Sequence, residues 1–483
     1  MTQHLTLGTF VEALIDWHPD SLEMPVYPII DSRLARSGAV FFALPGEHVD
    51  GHDYVEDALA RGAAAAVVQR DVVLATKVAN LDVSDEVHPM LLPGRPLLIT
   101  VPDVLAAMQE AARWWRQRLG VRVIAVTGSV GKTTTKEVVA QVLSRHYEVS
   151  WSKGSFNNEI GLPLTLLELT DASERLVVEL GMYVRGDIRF LADIARPDVG
   201  IVTNVEPVHA ERAGSIDEIA LGKLELLESL PAAPDGVAIL NYDDLRVRNM
   251  AAHTQARTLL YGLSPQADLW ADEVKGLGLG GLRATLHYGD DAVTVTVPLL
   301  GRHSIYGVLR GAAAGLVEGL SWDEIVAGLQ GLEDSLRLQV VQGADDVLII
   351  DDVYNSSPPS ALAALDLLAD LDGRKVAALG DMLELGDYER DGHIQVGCRA
   401  ADVVAELVVV GDLAVMIGEG AVCCGLSSAC VHAAADSEAA IDVVSSLLRP
   451  GDVILVKGSR GVKMERVVDA LKRGDPDDEA IEG

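Results

Sequence analysis

Short apolar runs rich in Val, Ile, Leu and Ala recur along the chain, with stretches of helical period between them. Ala39-Val40-Phe41-Phe42-Ala43-Leu44 and Ala63 to Val68 read as strands flanking a helix that carries Val55, Ala58, Leu59 and Ala60. A second group comprises Val123-Ile124-Ala125-Val126, Leu176-Val177-Val178 and Val199-Gly200-Ile201-Val202. A third comprises Val347-Leu348-Ile349-Ile350, Lys375-Val376-Ala377-Ala378-Leu379 and Leu407-Val408-Val409-Val410. A parallel strand covered on both faces is apolar throughout rather than alternating, so continuous runs point to parallel sheets between helices. Alternation of strand and helix along the whole chain predicts an α/β protein built of βαβ units. Three domains are expected, over residues 1–102, 103–333 and 334–483. The second opens with a helix from Val104 to Leu119. Residues 70–95 read as a long loop or insertion, and Lys472 to Gly483, charged and glycine-ended, as a disordered tail. No internal repeat is visible.

One strand of the second group leads into the main chemical signal. After Val123-Ile124-Ala125-Val126 come Thr127-Gly128-Ser129-Val130-Gly131-Lys132-Thr133-Thr134 and then a helical pattern carrying Val138, Val139, Val142 and Leu143. Strand, glycine-bounded turn and helix form the context of a phosphate-binding loop. The glycines let backbone N–H groups wrap a polyphosphate. Lys132 is placed to reach the β/γ-phosphates, and the Thr133 hydroxyl to ligate Mg²⁺. The motif is a short G-x-x-G-K-T-T form, since the position where the longer Walker pattern carries its first glycine is Val126. The alternative is an ordinary β-to-helix turn with a surface lysine.

Composition narrows the partners. The chain has 483 residues, enough for roughly two to four domains. A formal net charge of −33 argues against nucleic acid as a partner. Any anionic substrate therefore needs a local concentration of Lys and Arg. The four cysteines, Cys398, Cys423, Cys424 and Cys430, form no zinc spacing and are expected to be free thiols in a reducing cytoplasm. The N-terminus lacks the basic and apolar segments of a signal peptide, and no apolar run reaches membrane-spanning length. A cytoplasmic protein without membrane insertion is expected.

Ligands of open α/β sheets bind outside the carboxyl ends of the strands. Three central strands deliver polar groups there: the first the phosphate loop, the second Glu179-Leu180-Gly181, the third Thr203-Asn204-Val205-Glu206-Pro207-Val208-His209. Glu179 is placed like an acid that holds Mg²⁺, against the plainer reading of a satisfied strand-end carboxylate. His209, at the same edge, is a candidate metal ligand, although a lone His is more often structural. Asn157 and Asn158, in Lys153-Gly154-Ser155-Phe156-Asn157-Asn158-Glu159-Ile160-Gly161, suit either a turn or the binding of a polar substrate. Lys223, by pattern alone, is a surface lysine on the helix after Ser215.

Taken together, these motifs resemble the Mur ligase family of peptidoglycan synthesis over nearly the whole chain. Family-wide signals are residues 127–134, Glu-Leu-Gly at 179–181, Asn204 with His209, and Asn241-Tyr242-Asp243-Asp244. More specific ones are Asp31-Ser32-Arg33 with Asp50-Gly51-His52, residues 157–163, Asp351-Asp352-Val353-Tyr354-Asn355 with Pro358 and Ser360, residues 379–386, and Val456-Lys457-Gly458-Ser459-Arg460. The resemblance implies a small N-terminal α/β domain for a uridine nucleotide, a central P-loop ATPase-like doubly wound domain and a C-terminal Rossmann-like α/β domain. It implies ATP-dependent joining of D-alanyl-D-alanine to UDP-N-acetylmuramoyl-tripeptide through an acyl phosphate, with ATP and Mg²⁺. It assigns Gly128, Ser129, Gly131, Lys132, Thr133, Thr134, Asn241, Arg302 and Asp352 to the nucleotide. Ser32, Arg33, Asn157, Asn158, Arg337, Tyr354 and Asn355 fall to the other substrates, with Arg337 at the hinge into the third domain. Catalysis falls to Lys132, His209 and Lys223, and metal binding to Thr133, Glu179, His209 and a carbamylated Lys223. A monomer is the expectation.

The chain departs from the family pattern in two places. Ser304 and Gly307 stand where Asn is usual, and Ser356-Ser357 replaces an Ala-Asn pair after Asn355. The second leaves room for a ligase that adds a different amino acid or dipeptide. A P-loop regulatory ATPase that ligates nothing is a further reading, and it leaves Glu179, His209 and Lys223 unexplained.

Overall fold

The computed structural model describes residues 4–46, 48–85, 94–208, 210–332 and 339–472, and the chain builds three sheets in succession. His209, Arg337 and nearly all of the C-terminal tail lie outside the described residues.

The first sheet has five strands in the order Tyr27–Ile29, Ala39–Phe42, Ala65–Val68, Leu97–Thr100, Ala79–Asp82, all parallel. The stretch expected to be a loop over 70–95 therefore contains a strand. Ala79–Asp82 was hard to read because its sequence, Ala-Asn-Leu-Asp, buries only Leu81 and ends the sheet as an edge strand. Helix Val104–Arg118 follows. Its Met108, Ala111, Ala112 and Trp115 enter one continuous core with Phe10 of the N-terminal helix, Phe42 and Leu97 of the first sheet, and Leu166, Leu176 and Leu191 beyond it. The first two sheets are joined through that shared core.

The second sheet runs Asp291–Val297, Leu282–Tyr288, Leu269–Gly276, Arg257–Gly262, Val237–Asn241, Val199–Val202, Arg122–Thr127, Arg175–Glu179, Val149–Trp151. Six of these strands are parallel, and the four central ones, Arg122–Thr127, Arg175–Glu179, Val199–Val202 and Val237–Asn241, are largely buried, as their apolar sequences require, while the edge strand Val149–Trp151 is half-exposed. The other three form an antiparallel extension, and here the expectation of parallel strands throughout fails. Their sequences alternate: in Asp291–Val297 only Val295 and Val297 are buried, because one face is open to solvent. Leu269–Gly276 pairs parallel with Arg257–Gly262 on one side and antiparallel with Leu282–Tyr288 on the other.

The third sheet has six strands in the order Gln339–Gln342, Leu348–Asp352, Val453–Lys457, Lys375–Gly380, Glu406–Val410, Val431–Ala434. All pair parallel except the antiparallel edge strand Gln339–Gln342. Helices Glu389–Val403 and Val415–Cys423 pack on it at close range. A Cβ on Gly397 would fall 2.0 Å from the Ile417 carbonyl oxygen, so only glycine permits that approach. The same approach sets Cys398 and Cys424 5.1 Å apart at Cα, and they form a disulfide. The expectation of four free thiols is thereby corrected for this pair. Helix-on-helix distance, which spacing along the chain does not reveal, decides it. Cys423 and Cys430 are free. Among the described residues, no helix is long and apolar enough to cross a membrane.

Candidate active site

Strand Arg122–Thr127 ends at Gly128, whose φ is +147°. A Cβ there would lie 1.8 Å from Thr203 Oγ1, so a side chain is excluded by the neighbouring strand end. The turn reaches Gly131 at φ +81°, and helix Lys132–Leu143 begins. The N-terminus of a helix carries the positive end of its dipole, which favours an anion at this sheet edge. The turn is pinned from the side by residues 203–206. Ser129 N–H donates to Asn204 O at 3.1 Å, and Val130 N–H to Asn204 Oδ1 at 2.9 Å. Thr203 Oγ1 donates to Val130 O at 2.7 Å. The Ser129 hydroxyl donates to Glu206 O at 2.8 Å and accepts from Glu206 N–H at 2.9 Å. Asn204 is thus a brace of the phosphate loop, and Ser129 spends its hydroxyl on the same brace. Lys132 folds back over the loop, donating to Gly128 O at 2.9 Å and Ser129 O at 3.2 Å.

Glu179 gathers the neighbouring groups. It is 1% exposed at the end of strand Arg175–Glu179. One carboxylate oxygen accepts from Thr133 Oγ1 at 2.6 Å, the other from Asn157 Nδ2 at 2.8 Å. Thr133, expected to share a metal ion with Glu179, hydrogen-bonds to it directly, and Asn157 joins them. Asn158 does something different. Its Oδ1 accepts from the N–H groups of Gly161 at 2.9 Å and Ile160 at 3.3 Å, opening helix Gly161–Leu167. The turn reading holds for Asn158, while Asn157 points into the site.

Two oxygen donors held this close suit a hard cation such as Mg²⁺. Among the described residues no three His, Cys, Asp or Glu converge on a metal position. A cation here would draw its remaining ligands from phosphate oxygens and water, the usual arrangement for nucleotide-bound Mg²⁺.

Lys223 is not on the surface. It sits on helix Ile216–Glu228, 3% exposed, lining a small cavity with Gly128, Lys132, Met182, Tyr183 and Ile219. Burial, and then the nearby charge of Lys132, hold its amine well below the usual lysine range. Helix period alone could not reveal this, because the pocket wall is built by loops from other strands. Asp244 N-caps Leu245–Asn249 and accepts from Val205 N–H at 2.8 Å. Burial raises the Glu206 carboxyl, with Asp244 adding to the effect.

Asn241 lies at the same edge. Its Nδ2 donates to Thr203 O at 3.0 Å and its Oδ1 accepts from Asp243 N–H at 3.0 Å, so both ends of its amide brace the strand ends. Thr134 is half-buried in the first turn after the loop. Arg302 is exposed and faces Asp370 of the third domain at 3.5 Å.

One strand pair of the third domain joins two of its motifs. Asp352 and Lys457 are register partners on parallel strands, and Lys457 Nζ donates to Asp352 Oδ2 at 2.7 Å and Asn355 O at 2.8 Å. Lys457 is 1% exposed, so two motifs separated by a hundred residues form one buried unit. A charged residue closing the apolar run Val453-Ile454-Leu455-Val456 was the signal for it. Asn355 Oδ1 caps Ser356 N–H at 2.9 Å. Tyr354 reaches across to the central domain, its hydroxyl 2.6 Å from Ser155 Oγ. A further contact links Arg212 and Glu384 at 3.6 Å.

Ser32 and Arg33 stand apart, on the first sheet. Ser32 is buried with its hydroxyl on Asp57. Arg33 is largely exposed and pairs with Asp31 at 2.7 Å. The motif Asp50-Gly51-His52 proves to be a brace: His52 shares a hydrogen bond with Asp50 at 2.6 Å and accepts from Gln69 N–H at 3.0 Å. Gln69 Oε1 in turn accepts from Val104 N–H at 3.0 Å, at the start of the helix shared by the first two domains.

Comparison with known proteins places this geometry. The Mur ligase middle domain matches residues 126–315, the Mur ligase glutamate ligase domain 336–460, and the Mur ligase family catalytic domain 29–116. A UDP-N-acetylmuramoyl-tripeptide–D-alanyl-D-alanine ligase of Bacillus subtilis (strain 168) is 35% identical, covering 91% of this chain and 92% of its own. The ligase of the same name from Escherichia coli (strain K12) is 35% identical with 92% of each chain covered. The crystal structure of MurF from Acinetobacter baumannii superposes with a TM-score of 0.82 at 28% identity, covering 98% of this chain and 99% of that one. MurF of Thermotoga maritima, solved in complex with ADP, gives 0.77 at 27% identity, with 93% and 97% covered. Identity sustained over nine-tenths of both chains, on a shared three-sheet architecture, means that this chain belongs to the Mur ligase family.

Proposed function

We propose that the chain is an ATP-dependent ligase that joins D-alanyl-D-alanine to UDP-N-acetylmuramoyl-tripeptide, giving the UDP-pentapeptide used in peptidoglycan synthesis in the cytoplasm. The observation that carries the reading is Glu179, which holds Thr133 of the phosphate loop and Asn157 of the neighbouring loop on its two oxygens. A nucleotide and a second substrate thereby share one sheet edge.

The terminal carboxylate of the tripeptide attacks the γ-phosphorus. A carboxylate oxygen–phosphorus bond forms, the bond to the β,γ-bridging oxygen breaks, and ADP leaves. The amine of the dipeptide then attacks the acyl carbon, loses a proton, and expels phosphate. The first step brings two anions together, so cations must offset the charge. Lys132 is placed for the β/γ-phosphates, and the N-terminus of helix Lys132–Leu143 for the rest, while the Ser129 and Val130 N–H groups stay on Asn204. Thr133 and Glu179 would hold Mg²⁺, which supplies charge neutralisation at the transferring phosphoryl group. Lys223, whose amine is held well below the usual lysine range by burial and then by Lys132, is disposed to add CO₂ with loss of a proton, and the resulting carbamate would supply an anionic oxygen beside Lys132. His209 is assigned as a further metal ligand on its sequence position alone. Asn241, Arg302 and Asp352 line the nucleotide side. Tyr354 and Asn355 lie where the third domain meets the central one, on the side of the incoming dipeptide. Ser32 and Arg33 are assigned to the uridine nucleotide, and Arg337 to the hinge.

The test is phosphate release from MgATP with each substrate alone and with both. Release that needs both, with the mass of the UDP-pentapeptide, supports the reading. Release with the tripeptide and another amine would keep the mechanism and replace the dipeptide. Release independent of either substrate would favour a regulatory ATPase.

A further inference from the structure

Helix Ile305–Val317 packs along the phosphate-loop helix Lys132–Leu143, and Arg310 is out of place in that apolar seam. Its neighbours Val308, Leu309 and Ala312 are buried core residues. Arg310 itself is only 6% exposed. Its Nη1 donates weakly to the Tyr261 hydroxyl at 3.5 Å, and its guanidinium carbon lies 5.9 Å from the Tyr261 ring centre. Its Nε has no hydrogen-bond partner, and among the described residues no carboxylate pairs with it. The acids nearby are engaged elsewhere. Asp243 accepts from the Tyr306 hydroxyl at 3.0 Å and from Leu263 N–H at 2.7 Å, and Asp244 from Val205, Arg246 and Val247 N–H.

A guanidinium cannot shed its proton, and burying it without an anion is costly. The other side of the group is the phosphate loop. A Cβ on Gly131 would fall 3.3 Å from Arg310 Nη2, so the guanidinium lies against the backbone that opens the phosphate-loop helix. One helical turn earlier, on the same face, Gly307 leaves open space where a side chain would stand.

We propose that Arg310 is a second cation of the nucleotide site, whose guanidinium neutralises the phosphate chain held by residues 127–134. This rests on the reading of that loop as the ATP site. Lys132 approaches the phosphates from the solvent side of the turn, and Arg310 from the packed side. A purely structural brace on Tyr261 predicts the opposite pattern of effects.

The test compares the wild-type chain with Arg310→Met by calorimetric titration of MgADP, and by competition with tripolyphosphate and with adenosine. Melting without nucleotide is measured alongside. The expected result is an ADP affinity lower by about tenfold or more, a parallel loss for tripolyphosphate, and adenosine changed by less than about twofold. The nucleotide-free variant should melt at or above the wild-type temperature, because an uncompensated buried charge is gone. ADP binding within about twofold of wild type, or equal losses for ADP and adenosine, overturns the proposal. If Arg310→Met does not fold, Arg310→Gln is judged by the same criteria. A wild-type chain that binds neither ADP nor tripolyphosphate overturns the nucleotide reading itself, which separates the two failures.

Discussion

Lys132, Glu179 and Lys223 are three residues with three different routes to legibility. Lys132 was readable because strand, turn, glycine and helix surround it in sequence. Glu179 was readable as a strand-end acid, but its contact with Asn157 was not, since that depends on how the 152–161 loop folds back. Lys223 was unreadable from pattern, since its burial comes from Met182 and Tyr183 on another strand end. Lys132→Ala should lower kcat about 10²- to 10³-fold, the usual cost of removing one preorganised charge from a transition state. Steady-state kinetics at saturating ATP measure it, and near-normal turnover would refute the assignment. Lys223→Ala should abolish turnover and recover part of it in formate or acetate, if a carbamate oxygen is what the site uses. Full activity without added carboxylate would dispose of the carbamate.

At the scale of elements, the central parallel strands that were read from sequence were visible as apolar runs, because both their faces are buried. Among the strands that escaped were Ala79–Asp82 and the hairpin extension over 269–297. Those strands are half-exposed or on an edge, and their alternating or polar sequences resemble turns. The loop over 152–157 has an anchor that the sequence hid in plain view. Lys136, fully buried on the helix after the phosphate loop, donates to Ser152 O at 2.5 Å and Gly154 O at 2.8 Å and pairs with Glu137 at 3.1 Å. It fixes the segment that presents Asn157 to Glu179. Lys136→Met should cost about 2–4 kcal/mol of stability by orphaning two carbonyl groups. Thermal melting checks this, and kinetics on the surviving fold should show a raised KM for the substrates. An unchanged melting temperature would mean that the loop holds its shape without the lysine.

For the whole molecule, the separation of chemistry among three sheets is the main consequence. The phosphate loop belongs to the second, Asp352 and Lys457 to the third, and Ser32 and Arg33 to the first. Ser155 and Tyr354 touch across the boundary between the second and third, beside the loop that carries Asn157. Closing the domains around the reacting groups excludes water, which would otherwise hydrolyse an acyl phosphate. Tyr354→Phe removes one of the two hydroxyls in that contact. The expected outcome is a greater share of ATP hydrolysed without ligation, read as the ratio of phosphate to peptide product. A ratio that stays at one would show that this contact does not guard the intermediate. The motifs announced which residues matter, but not that Asp352 and Lys457 would share a register position, because strand order is a property of the sheet.

The central claim is that the tripeptide carboxylate is activated by direct phosphorylation. The most direct measurement uses UDP-N-acetylmuramoyl-tripeptide with ¹⁸O in its terminal carboxylate, MgATP and D-alanyl-D-alanine, followed by mass analysis of the phosphate. The account predicts one ¹⁸O atom in each phosphate released, carried over when the acyl carbon–oxygen bond breaks, and one retained in the new amide. Phosphate free of ¹⁸O, formed alongside peptide product, would contradict it.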